Sequence, residues 1–182
     1  MSTKVEVTIE DLHKIKGKAE LVNGEIVLMS PTGGFPNYAA GVIFISLFDY
    51  AKRTKSGHAV SDNAAFTVDL PNRKSFSPDA AFYTGRVSMK FFEGAPVFAV
   101  EVRSEGDYGP QAERAMAQKR AEYFAAGTKV VWDVDLINDE VVRVYRASEP
   151  EHPTIYRRGE TAEAEPAVVG WTLPVDDLFL EE

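Results

Sequence analysis

The hydrophobic pattern changes period along the chain, and each change marks an element. Thr8 precedes Ile9 with Asp11 three positions on, which predicts an N-cap and a short helix over Ile9–Lys16. Glu20–Val22 and Glu25–Met29 flank Asn23-Gly24, a strong hairpin signal. Ser30–Pro36, rich in proline and glycine, reads as a loop. From Tyr38 to Lys55 apolar residues recur at Val42, Ile45, Phe48 and Ala51, with Ile43, Phe44 and Leu47 widening the face. That spacing predicts a buried helix, closed by Lys52, Arg53 and Lys55 before Gly57. From His58 short extended segments take over: Phe66–Leu70 alternates, Pro78–Tyr83 follows a turn, and Pro96–Val102 is nearly all apolar. Pro110–Ala126 reads as a helix stopped by Gly127, and Val130–Asp135 and Val141–Tyr145 as strands. Pro153–Glu182 is turn-rich and gives no clear assignment. One central sheet with helices packed against it is the simplest arrangement.

The 182 residues suit one domain over residues 1–182, long enough for a core without disulfides or a structural metal. No repeat or low-complexity tract interrupts it. The absence of cysteine excludes thiolate catalysis and Cys-ligated metal centres, and fits a reducing cytoplasm. Met1–Glu10 is polar, with no apolar leader, and the run Tyr38–Phe48 is too short for a bilayer, so no membrane partner is expected. The net charge of −8 weighs against nucleic-acid binding but leaves room for a local basic groove.

The informative feature is charge in apolar surroundings. Glu101 stands in Val97-Phe98-Ala99-Val100-Glu101-Val102, and Asp79 at the edge of Ser77-Pro78-Asp79-Ala80-Ala81-Phe82. A buried carboxylate is costly unless paired or bound to a metal. On neighbouring strands the two would converge and suit a hard cation such as Mg²⁺. Lys119 shares a helical stripe with Ala112, Ala115, Met116 and Tyr123, which turns a lysine toward the core. The plainer readings are a solvated or turn-capping carboxylate and a lysine stem lying along apolar surface. Small basic groups, Lys14-Lys16-Lys18, Lys52-Arg53-Lys55, Arg73-Lys74, Arg114 with Lys119-Arg120, and Arg157-Arg158, read as solvated surface or as phosphate contacts. Trp132 reads as core. His13, His58 and His152 are too scattered for a zinc site, and no phosphate loop, serine elbow or histidine triad is present.

Taken in order, Pro78-Asp79, Glu101-Val102-Arg103-Ser104, Gln118-Lys119 with Glu122-Tyr123 and Gly127, and Val131-Trp132-Asp133-Val134-Asp135 resemble the bacterial Uma-two family, restriction-endonuclease domains of the PD-(D/E)XK superfamily. Glu20-Leu21-Val22-Asn23-Gly24-Glu25 and Met29-Ser30-Pro31-Thr32-Gly33-Gly34 are similar to that family's opening hairpin. The resemblance covers roughly residues 8 to 150. It implies an α/β fold, a restriction-endonuclease-like mixed β-sheet core flanked by helices. It implies hydrolysis of DNA phosphodiesters with Mg²⁺ or Mn²⁺ held by Asp79 and Glu101, with Glu20 as a further acidic residue and Lys119 as the catalytic lysine. The superfamily lysine lies two residues after the Glu, where this chain has Arg103. Arginine stays protonated, so Arg103 is a candidate phosphate contact and not a base. Gln118 is a second candidate to line the site. Whether the DNA is duplex or single-stranded stays open, and a homodimer is compatible with duplex cutting. The alternatives are a catalytically inactive nuclease-fold binding module and a metal-free acid–base hydrolase using Glu20, Asp79 and Glu101.

Overall fold

A computed structural model describes residues 6–181, so the polar character read for Met1–Val5, and Glu182, lie outside the described residues. The opening helix α1 (Ile9–His13) starts where its cap predicts: the Asp11 carboxylate accepts hydrogen bonds from the Thr8 N–H and hydroxyl. Strands β1 (Ala19–Val22) and β2 (Glu25–Leu28) pair antiparallel through Asn23 and Gly24 at φ 51° and 73°. Positive φ at both central turn positions matches the right-handed twist of the strands, which is what Asn-Gly supplies.

Helix α2 (Gly34–Thr54) starts inside the predicted loop. Pro36 falls in its first turn, where the missing N–H has no helical partner to lose. The helix is also less buried than predicted. Ala39, Ala40, Ile43, Leu47, Tyr50 and Ala51 face the core, while Ile45 and Phe48 remain exposed. An apolar run of this length covers every face of a helix, but only one face has a partner.

Strands β3 (His58–Val60), β4 (Phe66–Leu70), β5 (Arg73–Phe76), β6 (Ala80–Tyr83), β7 (Phe92–Glu93) and β8 (Phe98–Val102) lead to helix α3 (Pro110–Ala125). Proline at the first position starts α3, and Gly127 at φ 106° ends it. Strands β9 (Val130–Val134), β10 (Val142–Arg146), β11 (Glu149–Tyr156), β12 (Thr161–Glu163) and β13 (Thr172–Pro174) follow, then a 3₁₀ turn (Val175–Leu178). The expected single sheet is instead two sheets and a hairpin: β2-β1-β5-β4-β7, β11-β10-β9-β8-β6-β3, and β12-β13. The extra sheet depends on β5 and β7, one polar and one two residues long, which carry no alternation to read.

The six-stranded sheet is the central layer. Only its β8–β9 pair is parallel, and α3 makes that crossover. One face packs Phe98, Val100, Val130 and Trp132 against α2 and the C-terminal segment around Trp171 and Leu178. The opposite face packs Ala81, Ala99 and Val131 against Phe66 and Phe76 of the five-stranded sheet and Tyr123 of α3. Trp132 is in the core, as predicted. Ile43, fully buried under the central sheet, is a direct probe of this packing. Ile43→Ala is expected to cost about 2–5 kcal/mol, measured as a lower urea midpoint at unchanged m.

Candidate active site

Side chains alternate across a strand, so one end of the central sheet turns polar on the face that Ala81, Ala99 and Val131 share. Ala80 pairs with Val100, which sets Asp79 against Glu101 one step further along the two strands. Glu101 pairs in turn with Asp133 on β9. Three neighbouring strands therefore present carboxylates to the second layer at one edge. The sequence-based condition for Asp79 and Glu101, that their strands be neighbours, is met.

The facing layer answers with cations. Lys119 Nζ lies 2.9 Å from Glu101 Oε1 and 2.9 Å from Glu20 Oε1. The Tyr123 hydroxyl, one turn on, donates to the same Glu101 oxygen at 2.7 Å. Glu20 is 3% exposed, and its other contacts are the Ser77 N–H at 2.7 Å and Arg73 at 2.7 Å. Arg73 also holds Glu122 at 2.6 Å. Lys18, just before β1, bridges Asp79 Oδ1 and Asp62 Oδ1, both at 2.7 Å. The second Asp79 oxygen accepts the Val102 N–H at 2.7 Å. Lys18, Glu20, Arg73, Asp79, Glu101, Lys119 and Tyr123 line one cavity of about 830 Å³ between β1, β8 and α3.

Electrostatics follow from this packing. Burial disfavours the Lys119 ammonium, but attraction to Glu101 and Glu20 outweighs it and raises its pKa above the ordinary lysine value. Burial pushes the Glu101 carboxyl up against the pull of Lys119, and repulsion from Asp79 and Glu20 adds to the rise. Glu20 is desolvated too, but Lys119 and Arg73 hold it below its ordinary value. Burial, with Glu101 and Glu20 nearby, keeps the Tyr123 phenol protonated.

Of the sequence-predicted residues, Glu20, Asp79, Glu101 and Lys119 meet at this cavity. The other two candidates do not stand free. Arg103 lines the cavity, but its guanidinium is a fork on Asp133, at 2.8 Å twice, and also binds Glu113. Those carboxylates take the donors that a phosphate would need. Gln118 is exposed on α3 and donates to Glu122 at 3.3 Å. Sequence reading grouped Lys18 and Arg73 with surface cations and gave Tyr123 no role. A stripe shared with Lys119 was the available signal for Tyr123. Nothing local marked Lys18 or Arg73, whose charged partners lie 44 to 61 residues away.

Asp79 and Glu101 offer the oxygen donors that a hard divalent cation takes. The charged groups lining the cavity balance, with Glu20, Asp79, Glu101, Asp107 and Asp133 against Lys18, Arg73, Arg103, Lys119 and Arg120, so these cations already neutralise the carboxylates. Among the described residues no cluster of three or more Asp, Glu, His or Cys side chains is placed to hold a metal. A cation here would rest on two carboxylates, with water and substrate oxygens completing its shell, which is the habit of Mg²⁺.

The chain belongs to the Uma2 family, described as "Putative restriction endonuclease", whose model matches residues 9–176. A crystal structure of "a putative nuclease belonging to DUF820" from Anabaena variabilis ATCC 29413 is similar in fold, with a TM-score of 0.75, 17% identity, and coverage of 95% of this chain and 97% of that one. No curated protein matches by sequence. Among the described residues no helix is long and apolar enough to cross a membrane.

Proposed function

We propose that this protein is a metal-dependent nuclease that hydrolyses DNA phosphodiester bonds at the cavity edged by Asp79, Glu101 and Lys119. The observation that carries the reading is the convergence of two strand-end carboxylates and a helix-borne lysine, from positions 79, 101 and 119, on one cavity. Family membership supports the same reaction class.

Asp79 and Glu101 would hold the Mg²⁺ or Mn²⁺ ion. Such an ion polarises a phosphate oxygen and lowers the pKa of a bound water. The chain's own residues supply the rest. Lys119, kept as an ammonium, donates hydrogen bonds and offsets charge on the phosphate; it does not accept a proton. Glu20, pinned by Arg73 and the Ser77 N–H, fixes the lysine from behind. Tyr123 holds Glu101 Oε1 in place.

The test is cleavage of single- and double-stranded DNA by wild type and Glu101→Ala, with Mg²⁺, with Mn²⁺ and with EDTA. Cleavage that needs the metal and is lost in Glu101→Ala is the expected result. Cleavage that survives EDTA would favour metal-free acid–base hydrolysis. DNA binding without cleavage under any metal would favour a binding module that keeps the fold alone.

A further inference from the structure

Lys18 lines this cavity but has no part in the reaction above. Its Nζ sits 2.7 Å from Asp79 Oδ1, while the other Asp79 oxygen is already engaged by the Val102 N–H. The ammonium therefore stands at the Asp79 oxygen that a metal would take. Its second partner, Asp62, is also 2.7 Å away and lies further toward solvent, with a side-chain exposure of 34% against 13% for Asp79. Asp62 belongs to the turn between β3 and β4, outside the carboxylate edge of the sheet.

Taking Asp79 as a metal ligand, as proposed above, we infer that Lys18 is a resident counter-ion: it pairs with Asp79 until a divalent cation arrives, then yields that oxygen and rests on Asp62. The ion-pair geometry has two consequences. Without Lys18, Asp79 would be an unpaired carboxylate beside Glu101 in the metal-free protein, and like charges so close disfavour the ionised pair. With Lys18, the edge stays neutralised, and metal binding becomes an exchange of one cation for another. Asp62 lowers the cost of that exchange, because a displaced lysine keeps a partner and is not stranded in a partly buried site. The device sets metal affinity and is separate from Lys119, whose partners are Glu20 and Glu101.

Mn²⁺ alone, titrated by calorimetry into wild type, Lys18→Met, Asp62→Asn and the double variant, tests this. An opposing charge at this range moves a carboxylate equilibrium by one to three decades. Lys18→Met is therefore expected to tighten Mn²⁺ by about tenfold, and Asp62→Asn to weaken it by about tenfold. General electrostatics gives these two signs as well, so the double variant decides. If Asp62 acts by receiving Lys18, Asp62→Asn has little effect once Lys18 is methionine. Equal effects of Asp62→Asn in both backgrounds overturn the exchange. So does a Lys18→Met protein that binds Mn²⁺ no better than wild type while melting at an unchanged temperature. Mn²⁺ binding to Lys18→Met and not to wild type supports it in its strongest form. No binding to any of the four overturns the metal reading itself, and a wild type that binds with unmoved variants overturns only the role of Lys18.

Discussion

Lys119→Met is expected to slow metal-dependent DNA cleavage by about 10²–10³-fold at saturating metal, the usual loss when one charge-stabilising donor is removed. The variant keeps most of the apolar stem that packs along α3 toward Tyr123, so it should fold. It removes the ammonium that stands 2.9 Å from both Glu101 and Glu20. Those two carboxylates then lose the cation between them, and Mn²⁺ should bind more tightly while turnover falls. That opposite movement is the useful signature. A residue that served only to hold the fold would lower metal affinity and activity together. Lys119→Arg should recover little, because a planar guanidinium cannot place a compact charge midway between two carboxylates that close. Calorimetry with Mn²⁺ and single-turnover cleavage, run on the same preparations, check both halves. A Lys119→Met enzyme as fast as wild type would remove the lysine from the reaction.

Arg73→Met is expected to destabilise the fold by about 3–5 kcal/mol, the cost of leaving buried charges without their partner. Arg73 is 6% exposed and joins Glu20 to Glu122, at 2.7 and 2.6 Å, with its guanidinium over the Phe76 ring at 4.7 Å. The charge belongs to β5, one carboxylate to β1 and the other to α3, so the loss is felt where three elements meet. Glu20→Gln with Glu122→Gln in the Arg73→Met background should restore much of the stability, since neutral amides need no counter-charge. The deficit should also narrow in acid, for two reasons of the same sign. In the wild type Glu20 is held below its ordinary pKa, so its contribution is present above the unfolded value and fades as pH falls. In the variant burial without Arg73 favours the protonated carboxyl, which is penalised less as pH falls. Urea unfolding of both proteins from neutral to mildly acidic pH measures the gap. An equal gap at every pH would mean that Arg73 acts through packing on Phe76 and not through charge.

How far the sequence revealed this molecule can be judged residue by residue. Asp79, Glu101 and Lys119 were conspicuous because each interrupts a local apolar pattern, and burial of charge is a local statement. The hairpin at Asn23-Gly24, the ends of α3 and the strands around Val100 and Trp132 were readable for the same reason. What escaped was set by distance along the chain. Arg73 looks like half of a surface Arg-Lys pair until β5 lies beside β1, and Lys18 like one of three spaced lysines until it reaches Asp79, 61 residues on. Arg103 shows the converse. Its position after Glu101 suggested a phosphate contact, but Asp133, brought alongside by the parallel β8–β9 pair, holds its guanidinium. The second sheet was hidden because a four-residue strand reading Arg-Lys-Ser-Phe has no hydrophobic alternation to declare itself.

The placement of these charges on both sides of a seam has a consequence for when the protein can act. Asp79 and Glu101 belong to one sheet, Glu20 and Arg73 to the other, and Lys119 to the helix that joins β8 to β9. Neither sheet alone carries a complete set. A chain still emerging from the ribosome carries all three acids before Lys119 is made, and the set is complete only when α3 packs across them. On the proposed reading, hydrolytic competence therefore depends on both layers being packed together, and parting them separates the acids from the lysine.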